Sequence, residues 1–294
     1  MISEFAAARE FVRGAARYHD LVYIISKGKV LLNEDISHTS VIAVDQGQWA
    51  DVVDTAWDST AIAVARLPSE KLIVVGEDGD VVTYTGGVET REKISPKPVM
   101  IRHARRISDY VYACGMKRQV YKRVDEGVWS DIGAPFPGVD EEVGFESIDG
   151  FNDEEVYAVG WNGEIWEFDG YKWIRRGSPT NVILTSVCCA PNGVVYAAGQ
   201  QGVMIKGRHD VWESIEWEDE VAVDFWDLCW FEDDLYIATM TDLYKLRGNA
   251  LIEVDFGIEF PPSCYSLTSE EGVLWSIGRD HVASYDGADW QIYD

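Results

Sequence analysis

An all-β fold, a seven-bladed β-propeller of four-stranded antiparallel blades, is predicted by three features of this chain. A short apolar run ending in a small residue returns seven times, its copies are spaced by about one blade length, and each copy is followed by the same order of turn and strand signals. The run is plainest as "VYAVG", ending at Gly160. Aligned on the last residue, the others are "VYIIS" at Ser26, "LIVVG" at Gly76, "VYACG" at Gly115, "VYAAG" at Gly199, "LYIAT" at Thr239 and "LWSIG" at Gly278. The intervals are 50, 39, 45, 39, 40 and 39 residues, and seven copies in 294 residues average 42 each.

The inner strand of a blade precedes each anchor. "FVRGAARYHDLVY" (residues 11–23) lines up with "MIRHARRISDYVY" (residues 100–112) at a constant offset of 89, so the chain enters close to the inner strand of blade 1. The second strand carries the anchor run. Tyr23, Ile73, Tyr112, Tyr157, Tyr196, Tyr236 and Trp275 form a column of large β-formers suited to packing between sheets. The adjoining column, Ile24, Val74, Ala113, Ala158, Ala197, Ile237 and Ser276, is mostly small, as a crowded layer requires. Gly79, Gly163 and Gly202 then follow Asp78, Asn162 and Gln201, and such pairs accept the positive φ of a tight hairpin. A third strand comes next ("DVVTY", "QVYKR", "EIWEF"), and then an edge strand bearing Trp49, Trp129, Trp173, Trp212 or Trp290. The last edge strand is "WQIYD", so each blade is expected from contiguous sequence with little or no strand exchange. Residues 1–294 are read as one propeller domain, with a short helix over 3–10 that Ser3 can cap.

The repeat "VYAVGxxGxIxxxDGxxW" resembles bacterial seven-bladed propellers of the photosynthesis-assembly-factor and Asp-box-like repeat group, over nearly the whole chain. An Asp box has Ser and Asp ahead of its Gly and Trp. Relative to Gly170 and Trp173 those slots hold Trp166 and Phe168, and the Gly-His and Trp-Asp marks of WD repeats are also missing. The resemblance therefore implies the fold and carries over no sialidase chemistry.

Composition narrows the function. Twelve Trp and 47% apolar residues supply a large core, and no apolar run reaches membrane-span length. The start, "MISEFAAAREFVRG", lacks the basic-then-apolar order of a secretory signal. Cys114, Cys188, Cys189, Cys229 and Cys264 sit inside apolar runs and read as reduced core residues, which points to the cytoplasm. The net charge of −26 repels nucleic acid and anionic membrane and favours either simple solubility or attraction to a basic partner.

No catalytic residue, metal ligand set or cofactor motif is assigned. His19, His38, His103, His209 and His281 fall in different blades with no paired spacing, and no G-x-S-x-G, phosphate loop or dinucleotide fingerprint occurs. Residues 91–123 carry ten Lys or Arg against two acids, a local balance of +8 that leaves −34 for the rest. Arg13, Arg17, Arg102 and Arg106 lie on inner strands beside the channel, and so, on this reading, do Glu146, Asp149, Asp224 and Asp227. Cross-channel ion pairing is favoured for them over an anion site.

Loops between blades and turns after the anchors share one rim. The long loop "GAPFPGVDEEVG" brings Phe136 with Asp140, Glu141 and Glu142, and "IEWEDEVAVD" brings Trp217 with Glu218, Asp219 and Glu220. Trp161 stands at a hairpin turn between them, where a core role for an indole is not evident. Aromatic anchors among carboxylates suit a basic protein surface, while solvated turns would look alike. The reading adopted is a non-enzymatic binding module, specifically a cytoplasmic immunity-type protein that blocks a basic, nuclease-like toxin through these residues. A hydrolase or lyase with its site at the channel mouth, or an assembly factor for another basic protein, is the alternative. Oligomeric state is not readable.

Overall fold

The computed structural model describes residues 4–136, 138, 142–258 and 263–293, which form seven four-stranded antiparallel sheets, each from one contiguous stretch. Blade 1 consists of β1 (Arg9–Tyr18), β2 (Leu21–Gly28), β3 (Thr39–Asp45) and β4 (Gln48–Thr55). The others occupy 59–93, 101–131, 145–176, 184–214, 227–253 and 266–293, and in every sheet the strands neighbour one another in chain order.

Three of the Gly anchors stand where backbones crowd. A Cβ at Gly115, Gly160 or Gly199 would collide with the carbonyl oxygen of Met100, Gly144 or Ile183, each in the loop that leads into the inner strand of the same blade. Two turns beyond the anchors need left-handed backbone at both central residues. Asn162 and Gly163 have φ of 58° and 66°, Gln201 and Gly202 58° and 70°. The large column is buried in every blade, from Tyr157 at 0% to Tyr196 at 9% exposure.

Seven apolar clusters each join one blade to the next. The cluster closing the ring sets Trp275, Ile277 and Val282 of blade 7 against Phe11, Val22, Ile24 and Ile42 of blade 1. Phe11 N–H donates to Arg279 O at 2.7 Å across the same seam. No strand is exchanged there among the described residues.

Two expectations change, and one element is new. The N-terminal helix is α1 (Glu4–Ala7), four residues long, because from Arg9 onward the chain pairs with β2; Ser3 lies outside the described residues. The 50-residue interval holds a second helix, α2 (Lys29–Asn33), inserted between β2 and β3. Asp224 precedes the inner strand of blade 6, which starts at Asp227, and its carboxylate accepts the Gln201 N–H at 2.8 Å instead of facing the channel.

All five cysteines are thiols outside any disulfide. Strand alternation buries Cys188 and leaves Cys189 half-buried. Burial pushes the Cys229 and Cys264 thiols up to about 11, which keeps them protonated at neutral pH.

Candidate functional site

The rim carrying the anchor turns and inter-blade loops holds every expected binding residue that is described. Asp140 and Glu141 lie outside the described residues. Trp161 opens the turn after the second strand of blade 4, and its N–H donates to Gly144 O at 3.0 Å. Its indole is half-buried and donates Nε1–H to Glu146 Oε1 at 2.7 Å. Glu146 in turn faces Arg102 Nε at 3.6 Å, so this Trp has a structural role that its turn position concealed. Asn162 Nδ2 donates to the Glu142 carbonyl at 3.4 Å, placing the exposed Glu142 beside the Trp161 turn. Phe136 is half-buried, with the Lys117 ammonium 5.6 Å from its ring centre.

Trp217 belongs to a second group. It is half-buried, donates Nε1–H to Gly202 O at 2.7 Å and meets Phe225 edge-on at 5.9 Å. Glu218, Asp219 and Glu220 follow it, exposed. Asp219 and Glu220 border a hollow of about 240 Å³ shared with Trp217, Tyr244, Asn249 and Leu251. The structure thus joins Glu142 to Trp161, and Trp217 to Glu218, Asp219 and Glu220, as two groups held by separate turns.

The floor beneath the first group is an ion pair. Arg118 and Glu164, 6% and 3% exposed, meet through Nε–Oε2 at 2.7 Å and Nη2–Oε1 at 2.6 Å. Arg118 also donates to Pro135 O at 2.7 Å, beside Phe136, and Trp166 Nε1 donates to Glu164 Oε2 at 3.0 Å.

Most of the basic segment is spent in the same way. Of its ten cations, Arg91, Lys93, Lys97, Arg102, Arg105, Arg106, Arg118, Lys122 and Arg123 each pair with a carboxylate. Arg106 reaches across the channel to Glu270, which also takes Arg66 at 2.8 Å. Arg17 pairs with Glu70 at 2.8 Å. Arg13 has no carboxylate within ion-pair distance among the described residues. The cations are therefore consumed internally, and the surplus of acids is left to the surface.

Channel acids are occupied as well. Asp227 accepts Ser186 Oγ at 3.0 Å and the N–H groups of Leu228 and Leu267 at 2.9 and 2.8 Å. Asp149 accepts Cys189 N–H at 2.8 Å and faces Arg105 at 3.4 Å. His103 lies among them, its pKa lowered by burial and by the charges of Arg13 and Arg105, so it stays neutral and accepts Ile148 N–H at 3.2 Å. These groups tie inner strands together. At the mouth, a cavity of about 340 Å³ brings Arg13, Arg102, Glu77 and Glu146 near Trp226 and Tyr265.

One constellation escaped sequence reasoning. Ligand atoms of Glu155, Glu167 and His209 lie within 4.8 Å of one another, a reach suited to a metal ion. Spacing could not reveal it, since blades 4 and 5 each supply part. The carboxylates are already engaged: Glu155 by Arg208 through two bonds of 2.7 Å, Glu167 by Arg176 at 2.8 Å and His209 at 2.9 Å. The group is built as an inter-blade ion network.

No protein-family model matches the chain. It is 40% identical to the immune protein Tsi7 of Pseudomonas aeruginosa over the whole of both chains. Among solved structures, YCF48 bound to D1 peptide has a TM-score of 0.70 at 14% identity, over 97% of this chain and 92% of that one. The WD40 propeller domain of Doa1 has a TM-score of 0.73 at 10% identity, over 97% and 93%. The virginiamycin B lyase of Staphylococcus aureus reaches 0.64 at 11%, over 80% and 83%. These three are similar in fold.

Proposed function

This chain belongs to the family of the immune protein Tsi7, and from that premise we propose that it neutralises a cationic toxin by binding, without catalysis. The observation that carries this is the identity of 40% running through the full length of both chains. Physical features support the choice of partner. A chain of net charge −26 whose cations are largely paired internally presents acid outward, and nuclease active sites carry positive charge for phosphate. The channel acids hold backbone N–H groups and arginines, which leaves them unsuited to move protons for a substrate. Carboxylates at Glu142, Glu218, Asp219 and Glu220, with Asp140 and Glu141, supply attraction; Phe136, Trp161 and Trp217 supply contact area. The cytoplasm is the compartment in which such a protein would protect its own cell.

The test is protection and binding together. Cells expressing the product of the gene adjacent to this one should grow only when this chain is co-expressed, and the two purified proteins should form a complex whose association slows as salt rises. Failure of both protection and complex formation refutes the reading.

A further inference from the structure

We infer that α2, the insertion in the β2–β3 turn, is the apolar anchor by which the rim grips its cationic partner. The inference rests on the immunity reading above. In the other blades the corresponding connection is a short turn, as between Gly160 and Ile165 or Gly199 and Met204. Blade 1 instead spends residues 29–38 on "KVLLNEDISH", and α2 buries none of its residues. Val30 is 70% exposed, Leu31 and Leu32 38% each, and Ile36 46%. Four large apolar side chains held in water on one short insertion mark an interaction surface.

The insertion is fixed in place. Buried His38 accepts the Gly28 N–H on Nε2 at 2.8 Å, so its Nδ1 carries the proton and donates to Ile36 O at 2.7 Å, closing the loop on itself. Lys29 N–H donates to Ala8 O at 3.0 Å and its ammonium to Ala7 O at 2.8 Å. Such preorganisation lowers the ordering cost of binding.

Charge selects the occupant. Glu34 and Asp35 stand exposed on the insertion, and the surface beyond Ser37 is lined by Asp58, Glu77 and Asp78. Lys27 and Lys97 pair with Asp58 and Asp78, whereas Glu34, Asp35 and Glu77 have no cation partner among the described residues. An apolar patch with an uncompensated acid border repels a second copy of this chain and an anionic lipid surface alike, and fits a cationic protein with an apolar hollow.

The probe is the adjacent-gene product used in the protection test. Val30→Asp and Leu31→Asp add negative charge at exposed positions, so the melting temperature and the association rate should not fall. Loss of the apolar contact should raise the dissociation rate by roughly tenfold or more. Val211→Asp, on an edge strand of blade 5 and 75% exposed, should dissociate like the parent. A parent that binds, with Val30→Asp and Leu31→Asp dissociating at its rate, overturns the anchor alone. A parent that neither binds nor protects overturns the immunity reading and the anchor with it.

Discussion

Removing the Glu164 carboxylate is expected to be among the most damaging changes outside the apolar core. Glu164 is 3% exposed and takes three hydrogen bonds, two from Arg118 at 2.6 and 2.7 Å and one from Trp166 at 3.0 Å. Glu164→Ala leaves the Arg118 guanidinium buried, with Pro135 O at 2.7 Å as its remaining hydrogen-bond acceptor. Breaking one side of a buried pair costs about 3–5 kcal/mol. With a urea slope of about 3 kcal/mol per molar, suited to a large chain, the unfolding midpoint should fall by roughly 1–1.7 M. Because Arg118 also fastens Pro135, amide exchange should rise over residues 133–136. Replacing both partners, Arg118→Met with Glu164→Leu, removes the stranded charge and should recover most of the loss. Equilibrium urea unfolding followed by Trp fluorescence measures both. A single variant unfolding at the parent's midpoint would refute the reasoning, as would a double variant no better than the single.

At Glu126, burial works to raise the carboxyl, but hydrogen bonds from Lys71 and Ser69 and the charge of Arg123 outweigh it and hold it down to about 2. Its stabilisation is therefore fully present above the ordinary value of 4.5 and lost as pH falls from there through about 2, so Glu126→Gln should be less stable than the parent at pH 6, with the gap narrowing below 4.5 and closing only at about pH 2 and below in urea titrations. Gly163→Val should cost about 1–3 kcal/mol in thermal or urea unfolding, since φ is 66° and a Cβ would strike the Thr180 carbonyl; an unchanged midpoint would count against the turn assignment. Ellman's reagent should titrate five thiols in denaturant and few in the native protein, whereas fewer than five in denaturant would show a disulfide. In complexes with the adjacent-gene product, Asp219→Lys and Glu141→Lys should slow association and flatten its salt dependence. Trp161→Ala should raise the dissociation rate about thirtyfold, the equivalent of roughly 2 kcal/mol. Parent-like kinetics in all three variants would reduce the rim to solvated surface.

The blades were legible because backbone crowding favours a small residue at the same place. Gly115, Gly160 and Gly199 each lie against a carbonyl of the loop leading into the inner strand, so the chemistry repeats with the geometry. Turn residues at Asn162–Gly163 and Gln201–Gly202 were legible for a similar reason: positive φ leaves few choices. Side-chain partners were not. Arg106 and Glu270 are 164 residues apart, and Arg118 and Glu164 are 46 apart, separations that no local pattern encodes. Asp224 was misplaced because nothing in the sequence marks where an inner strand begins. The 50-residue interval is long for a blade, but its length alone said neither that α2 would stand between β2 and β3 nor that Val30 and Ile36 would be left in water.

Because every sheet is complete within its own stretch of chain, connectivity and architecture are separable here. The ring is sealed between blades 7 and 1 by the same kind of side-chain cluster that seals blades 3 and 4. Phe5 and Tyr293 pack on that one cluster, so the two ends of the described chain converge at the seam. A gene re-cut in any loop between blades, with a short linker across the old ends, would leave each strand with its original partners. The blades are then interchangeable in order of synthesis, and the circle itself has no beginning.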